Sequence, residues 1–179
     1  MKKYELTEET FTVFGKTLYR IRAVRDFGSV KTGEFGGYIE KEENLSHFGD
    51  AWVYGDARVS ENAWVYGDAR VSGDARVYDN AWVYGNAKVY GNAWVYGNAE
   101  VFNTRHFFVQ GPIGSRDGYV TFYRTKDDTV EVRCGCFSGS LQEFVNQVEE
   151  THGGSRYEKE YKIAAELAKV CIRLEGESR

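Results

Sequence analysis

Residues 85–102, "GNAKVYGNAWVYGNAEVF", contain three copies of one six-residue repeat, and similar copies extend upstream to residue 51. Alanine recurs every six residues from Ala51 to Ala99, and valine follows two residues later in each copy. A fixed short period over nine consecutive copies is the signature of a solenoid, in which each repeat packs on its neighbours. The repeat therefore predicts the architecture of residues 51–104.

Each copy of the repeat predicts one short strand and one corner. In a copy such as "AWVYGN" the Ala and Val positions share one face of an extended chain, and the Trp and Tyr positions share the other. The next two residues are most often glycine followed by Asn or Asp. Those residues tolerate the positive φ angles of tight corners, so we expect Ala and Val to face inward.

This pattern resembles the hexapeptide-repeat proteins, whose chain forms a left-handed parallel β-helix with three hexapeptides in each coil. The resemblance is close over residues 51–104 and looser over 33–50, which implies three regular coils and one irregular capping coil. In that capping coil the spacing puts Ile39 and Leu45 in the alanine position, and Lys41 and His47 in the valine position. We expect His47 to be a packed cap residue.

An 18-residue coil predicts which outward side chains stack. Positions 18 apart in sequence should lie about 4.8 Å apart on neighbouring coils. One set of columns follows the alanine position: Trp52, Arg70, Lys88; Arg58, Arg76, Trp94; and Trp64, Trp82, Glu100. The other set follows the valine position: Tyr54, Ser72, Tyr90; Ser60, Tyr78, Tyr96; and Tyr66, Tyr84, Phe102.

These columns are unusually aromatic for a protein surface. A soluble monomer seldom exposes so large an apolar patch, so we expect a homo-oligomer, and the resemblance favours a trimer. The predicted interface residues are Trp52, Trp64, Trp82, Trp94, Tyr66 and Tyr84. The alternative, that stacked rings only stiffen the solenoid, remains open.

The flanking segments complete a mainly β fold. Residues 1–32 predict a β-hairpin cap with its turn at Gly15 and Lys16, before the β-helix of residues 33–104. Residues 105–179 predict a small α+β domain of three strands and two helices. The helix starts are marked by two capping-box spacings, Ser140 to Glu143 and Ser155 to Glu158.

Composition narrows the class of protein. The 179 residues carry a formal net charge of −4 without a basic or acidic run, so no long nucleic acid is expected as a partner. No apolar run suits a signal peptide or a membrane span, and three cysteines form no disulfide framework. We expect a cytoplasmic protein, in the host cell if it is phage-encoded, with no membrane, metal or cofactor.

The C-terminal half resembles modules that follow hexapeptide repeats in phage and prophage proteins. The resemblance is carried by "GPIGSRDGYVTFYRTKD", "VRCGCFSGSLQEF", "ETHG" and "KEYKIAAELAKV", and upstream by "YRIRAV", "GGYIEKEENLS" and "GDAWVYGDA". Such proteins are often labelled transferases because of the repeat alone. A fold does not define a chemistry, so the label carries little weight.

Two catalytic readings have candidate residues. Resemblance to the hexapeptide acyltransferases implies a histidine base acting on an acyl-CoA, for which His106 is the best candidate. Alternatively, Cys136 in "RCGCF" supplies a thiolate that His152 activates. Neither set is complete, so our interpretation leans away from an enzyme.

A binding function has broader support. The segment "GPIGSR" joins a glycine backbone to a hydroxyl and a guanidinium, a combination that suits phosphate or carboxylate. The predicted ligand residues are Gly114, Ser115, Arg116, Tyr123, Arg124 and Arg133. We expect a non-enzymatic oligomer that binds a small anionic, nucleotide-like ligand or a host defence protein, as an inhibitor of bacterial anti-phage defence. The alternatives are an acyltransferase and a structural spacer.

Overall fold

The computed structural model describes residues 2–175, so residue 1 and residues 176–179 of the predicted terminal segments lie outside it. The chain opens with the antiparallel strands β1 (Tyr4–Val13) and β2 (Lys16–Ala23). The hairpin is confirmed, but its turn lies at Phe14 and Gly15, one residue before the prediction. Both turn residues have positive φ, 49° and 76°, as the twist of a two-residue hairpin requires.

A β-solenoid of about four coils follows. Strand β3 (Phe35–Ile39) and a 3-10 helix (Glu42–Asn44) begin it, and nine two-residue strands form its regular coils. These are β4 (Trp52–Val53), β5 (Arg58–Val59), β6 (Trp64–Val65), β7 (Arg70–Val71), β8 (Arg76–Val77), β9 (Trp82–Val83), β10 (Lys88–Val89), β11 (Trp94–Val95) and β12 (Glu100–Val101). The Ala and Val side chains of the repeat are buried, so the inward positions are confirmed.

The predicted stacking register is also confirmed. Parallel pairing joins β4, β7 and β10 on the first face, β5, β8 and β11 on the second, and β6, β9 and β12 on the third. On the second face Arg58 pairs with Arg76, which pairs with Trp94. The hairpin extends that face through β3 into one six-stranded sheet, so the first coil has a paired edge there.

The capping coil differs from the prediction in register. Ile39 pairs with Val59 and Leu45 with Val65, an offset of 20 residues rather than 18. Both side chains therefore take the valine position, and Gly37 takes the alanine position. A Cβ on Gly37 would lie 2.5 Å from the Ala57 carbonyl oxygen, so the coils approach too closely there for a side chain.

The residues predicted for the valine position of the capping coil also lie elsewhere. Lys41 precedes the 3-10 helix as its N-cap residue. The His47 ring stacks on Tyr4 with centroids 4.3 Å apart, and the Lys3 backbone N–H donates to its Nδ1. His47 is thus packed, as expected, but against the N-terminal strand rather than inside the coil.

The C-terminal domain contains one strand more than predicted. Its antiparallel strands are β13 (Phe107–Ile113), β14 (Gly118–Arg124), β15 (Val130–Cys134) and β16 (Phe137–Ser140), followed by α1 (Leu141–His152) and α2 (Arg156–Cys171). The extra strand forms because Gly135 and Cys136 make a two-residue turn, in which Gly135 has φ of 57°. Cys134 and Cys136 therefore do not share one strand face.

Both predicted helix starts are confirmed. The Ser140 hydroxyl accepts the Glu143 N–H, and the Glu143 carboxylate accepts the Ser140 N–H. At α2 the Ser155 hydroxyl accepts the Glu158 N–H, whereas the Glu158 carboxylate accepts from Gly154. Each helix thus has a side-chain N-cap. Within residues 2–175, no helix is long and apolar enough to cross a membrane.

The C-terminal sheet lies between the solenoid and the two helices. Phe122 and Val132 pack with the helices, whereas Phe107 and Tyr123 belong to the solenoid core. The Thr121 hydroxyl accepts the Trp94 backbone N–H at 3.1 Å, and Ala99 bridges to Thr125. The sheet therefore covers the last coil and brings the loops of the C-terminal domain next to Trp94.

We predict that Gly37→Ala destabilises the protein by about 1–3 kcal/mol, because the new methyl group overlaps Ala57 and Val53. Gly118→Ala is the matched control, since a Cβ there meets no atom within 4 Å, and it should change stability by less than about 0.5 kcal/mol. Urea unfolding measures both. Equal effects of the two substitutions would contradict the close approach of the coils.

Candidate functional site

A cleft of about 780 Å³ opens where the second solenoid face meets the C-terminal domain. Its walls are the solenoid, the β13–β14 loop, the β15–β16 turn and α1. The residues that line it include Arg76, Asn92, Trp94, Ser115, Arg116, Tyr119, Arg133, Cys136, Phe137, Gln147, Thr151 and His152. The fold thus brings together Ser115, Arg116, Arg133, Cys136 and His152, all of which the sequence singled out.

The lining of the cleft is cationic. Arg76, Arg116 and Arg133 all face it, and the described residues that line it include neither Asp nor Glu. None of the three arginines forms an ion pair with a carboxylate within residues 2–175. A concave surface with charge of one sign concentrates ions of the opposite sign, so the cleft favours an anion.

Arg133 is held in place without a carboxylate. Its Nη1 donates to the Tyr96 hydroxyl at 3.2 Å and to the carbonyls of Cys136 and Phe137. Its guanidinium also lies 5.1 Å from the centroid of Trp94, and its buried Nε has no hydrogen-bond partner in the described part of the chain. The positive charge of Arg133 is therefore positioned by neutral groups and stays uncompensated.

Trp94 contacts both Arg76 of the solenoid and Arg133 of the C-terminal domain. The Arg76 guanidinium lies 4.8 Å from the centroid of the Trp94 ring, so Trp94 contacts both Arg76 and Arg133. Each cation–π contact contributes about 0.5–1 kcal/mol at a partly exposed site. These contacts keep a flat aromatic side chain and two guanidinium groups together at one end of the cleft.

The β13–β14 loop presents Ser115 and Arg116. Gly114 has φ of 77°, and its N–H donates to the Glu160 carboxylate at 2.7 Å. A Cβ on Gly114 would overlap the Tyr161 hydroxyl, so only glycine allows the loop to lie against α2. Gly114 therefore positions the loop, whereas the exposed Ser115 and Arg116 are free to contact a ligand.

The cleft also holds a thiol and an imidazole. Cys136 is exposed in its turn, and the His152 ring packs 5.6 Å from the Tyr161 centroid at the end of α1. Burial raises the pKa of the neighbouring Cys134 thiol. Across residues 2–175, no three His, Cys, Asp or Glu side chains converge as metal ligands.

Tyr123 and Arg124 do not reach the cleft. Tyr123 is fully buried under the last coil, where burial raises its pKa, and its hydroxyl donates to Glu131. Arg124 is only 3% exposed and lies 2.8 Å from carboxylate oxygens of both Glu100 and Asp128. The Arg124–Glu100 pair ties the C-terminal domain to the solenoid, and neither Tyr123 nor Arg124 lines the cleft.

His106 is likewise outside the cleft. Its side chain is 6% exposed and meets the Phe102 ring edge-on at a centroid distance of 4.2 Å, and its Nδ1 finds no hydrogen-bond partner among residues 2–175. Burial, and then the neighbouring Arg124 charge, lower its pKa to about 4. A buried imidazole with so low a pKa is a weak base without access to an acyl thioester.

The tryptophans predicted for an oligomer interface occupy different environments. Trp52 is 2% exposed, and Phe27 packs edge-on against it with ring centroids 5.2 Å apart, so Trp52 offers almost no free surface. Trp94 belongs to the cleft. Only Trp64 and Trp82, at 39% and 37% exposure, remain on an open face, beside the stacked rings of Tyr66 and Tyr84.

Sequence reasoning missed Arg76, Tyr119 and Gln147 as cleft residues, and it assigned Trp94 to an interface instead. The predicted column of Arg58, Arg76 and Trp94 already puts Arg76 next to Trp94. The sequence does not show that the C-terminal sheet covers the end of that column and so forms the cleft.

Comparison with known families concerns the solenoid alone. Residues 51–67, 69–85 and 81–97 match the family described as YdcK Beta solenoid repeat. The repeated segment is a β-solenoid. No curated protein matches the chain. Since the family match ends at residue 97, the walls that the C-terminal domain contributes to the cleft lie outside it.

We predict that His106 makes the folded state acid-sensitive. Between pH 6.5 and about 4 the unfolded chain binds a proton at His106 that the folded chain does not, so stability falls as the pH is lowered through this window. His106→Phe should reduce the loss of stability between pH 7 and pH 5, and the control His152→Gln should retain it. Urea unfolding at the two pH values measures the difference, and an unchanged slope in His106→Phe would contradict a buried neutral imidazole.

Proposed function

We propose that the protein binds a small anionic, nucleotide-like ligand in the cleft and does not alter it. The observation that carries this proposal is the lining itself, where three arginines converge without an aspartate or glutamate among the described lining residues. At about 780 Å³ the cleft has the volume of an ordinary small-molecule site.

The lining residues suggest how such a ligand is held. Arg116 and Arg133 donate to the anionic oxygens, since guanidinium groups bind phosphate and carboxylate by charge-assisted hydrogen bonds. Trp94 and Tyr119 offer flat rings to a nucleobase-like group. Ser115 adds a hydroxyl close to Arg116. This combination recognises charge at one end of the ligand and an aromatic plane at the other.

The resemblance of the chain to phage and prophage proteins extends the proposal to a biological role. A protein that sequesters a nucleotide-like signal without hydrolysing it lowers the free concentration of that signal, which would inhibit a defence pathway that depends on it. Covering a host defence protein is the other form of inhibition consistent with binding. Acyl transfer has less support because His106 is buried outside the cleft.

We predict that Arg116→Ala weakens binding at the cleft by about tenfold or more, because a charge-assisted hydrogen bond is worth about 1.5–3 kcal/mol. Calorimetry with a panel of nucleoside monophosphates, diphosphates and cyclic nucleotides measures the affinity. Arg105→Ala is the control, since it removes the same charge from an exposed loop position outside the cleft.

Two results would count against the cleft proposal. One is an absence of binding across the whole panel, or equal binding by the wild type and Arg116→Ala. The other is a chemically altered nucleotide recovered after the complex is denatured, since a binder releases its ligand unchanged.

We also propose that the third solenoid face mediates self-association, with a trimer as the favoured state. The supporting observation is the aromatic surface formed by the exposed Trp64 and Trp82 and the half-buried Tyr66 and Tyr84. The Tyr66 and Tyr84 rings are nearly parallel, at 4°, with centroids 4.6 Å apart. Aromatic side chains held by stacking lose little side-chain entropy on association.

For this interface we predict that Trp64→Glu converts the oligomer to monomers, because an ionised carboxylate would be desolvated at the centre of an aromatic contact. Val170→Glu, at a position 80% exposed on α2, should leave the assembly intact. Sedimentation velocity distinguishes the states. A monomeric wild type, or an oligomeric Trp64→Glu variant, would contradict the proposal.

A further inference from the structure

A second groove, of about 700 Å³, lies on the first solenoid face and shares no lining residue with the cleft. Its floor and walls come from β4, β7 and β10 and from the loop that precedes β3. The lining residues include Glu34, Tyr54, Arg70, Ser72, Lys88 and Tyr90. The groove therefore combines exposed aromatic rings with two basic side chains.

Aromatic columns elsewhere on the solenoid show how rings on neighbouring coils stack on one another. Tyr84 stacks 4.6 Å from Tyr66 and 5.2 Å from Phe102 on the third face. Tyr78 and Tyr96 stack at 4.9 Å with an interplanar angle of 1° on the second. One ring in each coil thus gives a continuous stack with a spacing of about one coil.

The equivalent column in the groove lacks its middle ring. It consists of Tyr54, Ser72 and Tyr90, and the coils pair in the same way, since the Tyr54 N–H donates to the Val71 carbonyl and the Ser72 N–H donates to the Val89 carbonyl. Tyr54 and Tyr90 are therefore two coils apart, about 9.6 Å. A planar ring above Ser72 would lie about 4.8 Å from each tyrosine, which is the spacing of the filled columns.

The two tyrosines are available to such a ring. Tyr54 is 42% exposed and Tyr90 is 55% exposed, so each side chain presents about half of its surface to solvent. Tyr90 also contacts Phe107 edge-on at 5.7 Å, which limits its rotation. The space above Ser72 is thus bounded by two aromatic side chains, one of which is braced from behind.

Positive charge lies next to this space. Arg70 and Lys88 are paired neighbours in the adjoining column, and neither forms an ion pair within residues 2–175. The carboxylate of Glu34, also in the lining, accepts the Lys31 N–H. The lining thus carries two cations against the one carboxylate of Glu34, and Arg70 also donates to the Ser29 hydroxyl. Two cations one coil apart suit the oxygens of a phosphate or carboxylate group.

We propose that this groove is a separate binding site for a planar aromatic anion of the nucleoside monophosphate class. The ring inserts above Ser72 between Tyr54 and Tyr90, and the anionic group binds Arg70 and Lys88. Ring stacking of this kind tolerates any base, since every base has an aromatic face. The site is independent of the cleft and needs no residue from it.

The experiment is calorimetry with the four common nucleoside monophosphates in an Arg116→Ala background, which weakens the cleft and leaves the groove unchanged. We expect a nucleoside monophosphate to bind, and adenosine or ribose 5-phosphate alone to bind at least tenfold more weakly than AMP. Only the groove is intact in this background. Binding that persists in Arg116→Ala therefore reports on the groove, and the failure of the cleft proposal can be told apart from the failure of this one.

Ser72→Tyr tests the ring space directly. The new ring completes the Tyr54–Tyr90 column, so it should reduce affinity for the monophosphates at least 30-fold and raise the melting temperature. Ser60→Tyr is the matched control, since it adds the same ring beside Tyr78 on the second face, outside the groove, and should leave affinity unchanged. Lys88→Gln, at an exposed position, should weaken binding about tenfold even if Ser72→Tyr fails to fold.

Three outcomes would overturn the inference. They are no binding by any of the four monophosphates, equal affinity for AMP and ribose 5-phosphate, and wild-type affinity in a folded Ser72→Tyr variant.

Discussion

The backbone hydrogen bonds between successive coils are the constraint on which the rest of the structure depends. Along each face, a strand N–H donates to a carbonyl one coil further on, as from Trp52 to Ala69 at 3.0 Å and from Trp82 to Ala99 at 2.9 Å. These bonds fix an offset of 18 residues between paired strands. The interior then admits only the small Ala and Val side chains, which are buried along its length. Outward side chains must consequently form straight columns.

The columns determine where charge and aromatic surface meet. The Arg58 column ends at Trp94, and the C-terminal sheet places the Arg133 guanidinium 5.1 Å from that ring, so the cleft forms where the column meets the C-terminal domain. On the first face the same order is interrupted at Ser72. One repeated geometry thus produces both a cationic cleft and a ring-sized gap. The solenoid contributes directly to the candidate sites as well as supporting the C-terminal domain.

Structural features that depend on the short repeat or on local capping residues could be predicted from the sequence. The strand register, the inward residues and the helix starts at Ser140 and Ser155 follow from spacings of 18 residues or fewer. Contacts between distant segments could not be read in this way. Arg124 was predicted to bind a ligand because its ion-pair partner Glu100 lies 24 residues away in sequence and could not be identified from local spacing. The capping coil shifted to an offset of 20 because Gly37 permits a close backbone approach that no periodicity reveals. Cys136 lines the cleft because it lies in the β15–β16 turn, which the sequence did not predict.

We propose that the columns of the first and second faces bind anionic aromatic ligands and that the third face does not. The four tryptophans report on these faces separately: Trp52 lies beneath the groove, Trp94 in the cleft, and Trp64 and Trp82 on the third face. NMR titration of their indole N–H signals with AMP tests this proposal. We expect shifts for Trp94 and Trp52 and unchanged signals for Trp64 and Trp82. Shifts confined to Trp64 and Trp82, or no shift at all, would contradict it.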